Sequence, residues 1–372
     1  MSDLHQEPPL ADWIDHDEPL RELAASLPPL IGLDTEFMRV DTFYPKLALV
    51  QLAHGSQTAL IDPLAADTAL LGDALSAADR VCVMHSASED LEALSAPVPR
   101  GLGQLFDTQI AAAFAGLGPG LGYQRLVFEL TGVQLPKAET RSDWLRRPLS
   151  PEQLEYATQD VTHLADLHRQ LSARLSARGY EDWHREDCRR MVDRAGRREA
   201  DPQPQTALRG AAGWPLEKQA LLRRVLIWRD VTARAIDRPR SWLLDDPRAL
   251  DLSQHPPAGN EDLFQRTKGL RALRSAQRAE LLEVLARPLE AAELEIEPIP
   301  ALPTPADKRA IAAMKAFVNA TAERLDLPEG LLCARRHLES LLASGRWPAA
   351  LEGWRREVLY AGLMERLADR TP

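Results

Sequence analysis

Residues 31–37 read "IGLDTEF", and they place two carboxylates, Asp34 and Glu36, inside what is otherwise a strand of apolar residues. Ile31, Leu33 and Phe37 favour extended structure, and Gly32 permits a close backbone approach. Residues two apart on a strand share a face, so Asp34 and Glu36 point the same way and Thr35 the other. Two like charges in a half-buried setting repel each other and lose hydration. What the chain gains by placing them there is the question the rest of the sequence has to answer.

The surrounding chain supplies the sheet. "LIGLDTEF" (30–37), "LALVQLAHG" (47–55) and "TALIDPL" (58–64) predict three strands in series, with a short polar turn between the last two that suits a meander. The middle run is apolar enough to be buried on both faces. "DTALLGDALSAA" (67–78) predicts a helix, "RVCVMHS" (80–86) a fourth strand, and "SEDLEAL" (88–94) another helix with Asp90 in its first turn. Residues 106–180 read as mainly helical around the loop "GLGPGLGY" (116–123). Strands in series followed by alternating helix and strand imply an α/β domain with a mixed sheet.

Within that helical stretch, "SPEQLEYATQDVTHLADLH" (150–168) predicts a strong helix, with Ser150 as N-cap and Pro151 at the first position. Tyr156 and Asp160 lie four apart on it, hence on one face. Four carboxylates and a tyrosine thus have routes to one site. All-oxygen ligation suits hard divalent cations such as Mg²⁺ or Mn²⁺. Two of these about 3.5–4 Å apart can clamp the attacking and leaving oxygens of an in-line phosphoryl displacement.

Composition bounds the remainder. The 372 residues exceed what one core usually spans, so two or three domains are expected. Three separated cysteines, Cys82, Cys188 and Cys333, form no CxxC pair and argue for a reducing cytoplasm. No apolar run approaches a membrane span, and the acidic N-terminal stretch does not read as a signal or transit peptide. The net charge of −10 hides an asymmetry: residues 1–100 hold 17 Asp+Glu against 5 Lys+Arg, whereas residues 207–290 hold 15 Lys+Arg against 11 Asp+Glu. An acidic front and a basic rear suit a metal-binding catalytic domain followed by a module for polyanions. A Pro/Gln linker near residue 205 and a second, "ELEIEPIPALPTP" (293–305), divide the chain into 1–204, 207–290 and 305–372. The two rear segments are helical, and each carries a Trp-Arg pair, Trp228-Arg229 and Trp354-Arg355.

Asp34-Thr35-Glu36-Phe37, "TFYPKLALVQLAHG" (42–55), "HSASEDLE" (85–92), "FDTQIAAAF" (106–114), "TRSDWLRRPLS" (140–150) and "LEYATQDV" (154–161) together resemble the ribonuclease D family. That family is the tyrosine (DEDDy) branch of the DEDD 3′→5′ exonucleases. "WRDVTARAIDRPRSWLLDD" (228–246) resembles an HRDC domain, and residues 307–372, with Gly353-Trp354-Arg355, resemble a second. A glycine would be expected near Ala87.

The resemblance implies an RNase H-like α/β exonuclease domain followed by two small all-α HRDC-like domains, in a cytoplasmic monomer. It implies two divalent ions, bridged by Asp34. Glu36 and Asp160 would hold the one that activates water, Asp90 would serve the other, and Tyr156 would orient the attacking water. It implies RNA with a free 3′ end as substrate, precursor tRNA and other small structured RNAs included, with 5′-mononucleotides released. Substrate contacts are expected from Thr35, Phe37, His85, Ser86, Lys137, Arg141 and Trp144. A DNA 3′→5′ exonuclease and a non-catalytic RNA-binding scaffold are the alternatives. The motifs leave the first open, and the filled active-site positions oppose the second.

Overall fold

The computed structural model describes residues 11–136, 142–196, 201–301 and 303–368. Lys137 and Arg141 lie outside the described residues. The chain forms two compact units.

The first unit takes the chain up to Met38, the stretch from Pro45 to the linker, and everything from Arg309 onward. Its six-stranded sheet runs β1 (Asp12–Ile14), β4 (Gln57–Ile61), β3 (Lys46–His54), β2 (Leu30–Met38), β5 (Val81–Met84), β6 (Gln104–Asp107) in spatial order. The meander β2-β3-β4 is antiparallel, and β1, β5 and β6 pair in parallel with β4, β2 and β5. The mixed sheet is as expected, but β1 and β6 were not. They are three and four residues long, too short for alternation to register.

Both faces of the sheet are covered. On one, Ile31, Leu33, Val50, Leu52 and Ile61 pack with α1 (Asp17–Ser26) and α2 (Ser88–Ala93). On the other, α5 (Pro151–Thr162) lies across the meander, with Ala157 against Leu49 and Leu60. Gly32 allows the close approach there: a Cβ would sit a tight 3.2 Å from the Val161 carbonyl oxygen and the Leu164 side chain. Helix α5 starts on a capping box, in which Gln153 N–H donates to Ser150 Oγ at 3.2 Å and Ser150 N–H to Gln153 Oε1 at 2.9 Å.

Helices α3 (Thr108–Phe114), α4 (Tyr123–Thr131), α6 (Leu164–Arg178) and α7 (Glu181–Gly196) complete this part. Residues 309–368 join their core. Met314, Val318, Leu338, Leu341, Trp354 and Leu363 belong to the same apolar cluster as Phe114, Leu126, Leu167 and Leu171. Trp354 is 1% exposed and stacks on Trp183 with ring centroids 4.5 Å apart. Arg355 forks onto Asp187, with Nη2 to Oδ2 at 2.7 Å, and Trp354 Nε1 donates to Asp187 Oδ1 at 3.2 Å.

The second unit comprises Arg39–Tyr44 and the helical chain from the linker to Lys308. The expected linear boundaries are therefore crossed twice, by residues 39–44 and by 309–368. Helix α8 (Leu216–Ala235) is its axis, and Leu222, Val225, Leu243, Leu263 and Leu281 form its core. Residues 39–44 are anchored within this unit. Asp237 Oδ1 accepts from the N–H groups of Phe43 and Tyr44 at 2.9 and 3.1 Å. The guanidinium groups of Arg234 and Arg240 lie 4.8 and 4.5 Å from the Phe43 ring centroid. No helix among the described residues is long and apolar enough to cross a membrane.

Candidate active site

The strand pair β2-β3 and helix α5 bring three of the predicted carboxylates together. One oxygen each of Asp34, Glu36 and Asp160 lies within 4.8 Å of the others. A bulge between Glu36 and Phe37 shifts the pairing register of β2 with β3 at this point, and pairing resumes at Phe37 and Met38. Asp90 arrives from the opposite face. It is buried in the first turn of α2, and Thr35 Oγ1 donates to its Oδ1 at 2.6 Å. Thr35 does point away from Asp34 and Glu36, and its hydroxyl thereby fixes the fourth carboxylate.

Electrostatics set this cluster apart from a solvated acidic patch. Burial, followed by the charges of Asp90, Asp160 and Glu36, holds Asp34 well above the usual carboxylate range. Burial, then Asp160 and Asp90, pushes Glu36 up to about 8. Burial raises Asp160 to about 7 against a hydrogen bond from Tyr156, and Asp90 to about 6 against its hydrogen bonds from Thr35. Four carboxyls packed so closely cannot all ionise without compensating positive charge. A set of hard oxygen donors on a half-buried floor fits a divalent cation. The Tyr156 phenol is also raised, by burial and then by Asp160 and Glu36, so it remains protonated and donates to Asp160.

The remaining predicted contacts fall in different places. Phe37 is half-buried at the end of β2, beyond the bulge. His85 is largely buried at the end of β5. The Thr108 hydroxyl donates to the Met84 carbonyl at 3.1 Å, and so accepts from His85 Nδ1 at 2.9 Å. Burial lowers the His85 pKa, so the ring is neutral. Ser86 is exposed and adopts φ 59°, so the left-handed turn falls at Ser86 rather than at Ala87, where the glycine was expected. Ala87 N–H donates to Asp107 Oδ2 at 2.8 Å, while Asp107 caps α3 through its other oxygen. Trp144 is 4% exposed, with its ring centroid 6.0 Å from that of Tyr156. Arg147 secures the Trp144 loop with two 2.6 Å hydrogen bonds to Asp62 and one of 2.7 Å to the Ala48 carbonyl.

Two residues at the site carried no signal in the sequence. The Tyr123 hydroxyl donates to the Gln159 carbonyl at 3.0 Å and accepts from His163 N–H at 3.4 Å. It is wedged into the hydrogen-bond ladder where α5 gives way to α6, one turn from Asp160. Gln51 faces Asp34 across the β2-β3 ladder.

A mixed sheet with carboxylates along β2, in the first turn of α2 and on a crossing helix is the arrangement expected of a 3′→5′ exonuclease. The family model for 3′-5′ exonuclease matches residues 11–176. The chain is 45% identical over 361 residues to the ribonuclease D of Xanthomonas oryzae pv. oryzae, covering 95% of this chain and 98% of that protein. It is 37% identical to the ribonuclease D of Pseudomonas paraeruginosa, covering 96% and 98%. The crystal structure of Escherichia coli RNase D, an exoribonuclease involved in structured RNA processing, superposes with a TM-score of 0.82 at 29% identity, covering 96% of this chain and 99% of that one. The chain belongs to the ribonuclease D family. It has the family's RNase H-like exonuclease fold and is a 3′→5′ exoribonuclease.

Proposed function

We propose that the enzyme trims the 3′ ends of small structured RNAs, precursor tRNA among them, one nucleotide at a time. Asp34, Glu36, Asp90 and Asp160 would hold two divalent cations, Mg²⁺ or Mn²⁺, with Asp34 serving both. When bound, the ions supply the positive charge that activates water and stabilises the leaving oxygen. The chain's own groups do the positioning. Thr35 fixes Asp90, and Asp160 accepts from the Tyr156 hydroxyl. Tyr156 keeps its proton and so orients the attacking water instead of deprotonating it. Trp144 acts through Tyr156, whose ring it backs.

Phe37, at the end of the strand that carries the ligands, offers a ring beside the terminal base. His85 and Ser86 contact the terminal nucleotide, and Lys137 and Arg141 hold phosphates. Residues 207–290 and 305–372 are HRDC-like modules, and the basic balance of the first suits it to retaining RNA. The observation that carries this reading is the trio Asp34, Glu36 and Asp160, with oxygens within 4.8 Å and pKa values driven upward.

The test is incubation with 5′-labelled RNA, with chelator, Mg²⁺ or Mn²⁺, followed by product sizing. A ladder shortening from the 3′ end, only with metal and only with a free 3′-hydroxyl, is expected. Cleavage of a circular RNA would overturn it.

A further inference from the structure

Gln51 lies in the middle of β3 and is 0% exposed. In the sheet register it pairs with Asp34 on one side and Leu60 on the other. Cross-strand partners share a face, so its amide stands beside the Asp34 carboxylate under α5. Leu49, Leu60 and Ala157 supply the apolar part of that layer. Among the described residues neither Nε2 nor Oε1 of Gln51 has a hydrogen-bond partner. A fully buried primary amide with both polar atoms unmet is costly, and a leucine or methionine would fill the same space without that cost. Buried polar groups left unpaired call for a partner that arrives with the ligand.

From this we infer that Gln51 is a positioning residue for Asp34, donating from Nε2 to the carboxylate when a cation holds that group in its charged form. The inference rests on the metal-site reading above. Of the four carboxylates, Asp34 is the one whose orientation matters most, because it has to serve both ions. A donor fixed by the sheet, on a side chain with no freedom to leave, would set that orientation. Partners of ligating groups of this kind typically change metal affinity about 10- to 100-fold.

The experiment compares full-length wild type, Gln51→Met and Gln51→Leu by thermal melting in chelator and across a Mg²⁺ or Mn²⁺ titration, with Asp34→Asn as control. Both Gln51 variants are expected to melt no lower than wild type in chelator, since they remove an unpaired amide. The metal concentration for half of the stabilisation should rise about 10- to 100-fold. Exonuclease rates should recover towards wild type at high metal, a dependence that a purely structural role would not produce. An unchanged metal midpoint would overturn the inference. So would a fall in the chelator melting temperature of both variants, because the amide would then be bonded in the metal-free protein. If wild type itself gains nothing from metal, the site reading fails instead.

Discussion

Asp34 carries opposite demands in the two states of the protein. Without metal it is crowded by three carboxyls and held well above its usual pKa; in the two-metal site proposed above it would be the shared ligand. Asp34→Asn keeps the shape and removes one charge, so in chelator it should melt at or above the wild-type temperature. Metal binds only the folded protein and stabilises it by mass action; the variant should lose most of that increment, and activity should fall by orders of magnitude. A variant that melts well below wild type in chelator yet gains the full increment would make Asp34 structural. The same crowding fixes a pH dependence. Glu36, Asp160 and Asp90 have folded pKa values of about 8, 7 and 6, above their unfolded values. Their folded state binds more protons, so their contribution is complete below about pH 4 and is lost as pH rises through 6 to 8. Chelator melts between pH 5 and 8.5 should show this decline, and saturating metal should flatten it. Asp34 and Glu36 stood out in the sequence because charge inside an apolar strand is conspicuous. Asp90 and Asp160, in polar helical stretches, drew meaning only from their combination with that pair and from the family resemblance. Gln51 was not legible, because one polar residue in "LALVQLAHG" gains meaning only from the register that places it opposite Asp34.

At the scale of elements, the same distinction separates local from tertiary causes. The start of α5 was readable because a capping box is a local device. Its end was not. "SPEQLEYATQDVTHLADLH" reads as one helix, yet the chain breaks at His163 (φ −95°, ψ −3°) and restarts as α6. Thr158 and Thr162 bond back to the Leu154 and Thr158 carbonyls, both at 2.7 Å, which favours bending. The Tyr123 hydroxyl then replaces the direct His163-to-Gln159 bond, a contact made from 36 residues away. Tyr123→Phe would let that ladder bond re-form and turn Asp160. We expect kcat to fall on the order of 10- to 100-fold, as misplacement of a catalytic group does, with KM for RNA little changed and stability altered by only about 1 kcal/mol. Single-turnover kinetics and a melt would check both. A larger effect on KM than on kcat would show that Tyr123 serves substrate binding. The short strands β1 and β6 escaped for another reason: their pairing partners, not their own residues, make them strands.

At the scale of the molecule, composition and linkers divide the chain in sequence order, but the apolar surface does not follow that order. The Trp-Arg pair at 354–355 illustrates why. In the sequence it reads as an echo of Trp228-Arg229. In the fold its indole is closed between Trp183 and Phe114, with centroids 4.5 and 5.5 Å away, and its guanidinium pairs with Asp187 in α7. Residues 309–368 therefore help complete the core that also holds α3, α6 and α7. Cutting the chain at the 205 linker would strip that core and expose Phe114, Trp183 and the buried Asp187. A fragment ending there should be less soluble and bind a hydrophobic dye. Trp354→Ala tests the same point without truncation. A buried Trp-to-Ala change costs about 3–5 kcal/mol, and loss of the indole hydrogen bond to Asp187 adds to it. The melting temperature should drop steeply in both chelator and metal, while the metal increment, which depends on Asp34 and its neighbours, stays the same size. If Trp354→Ala melts within a degree or two of wild type, the C-terminal helices contribute little to this core, and a fragment cut at the linker should then fold by itself.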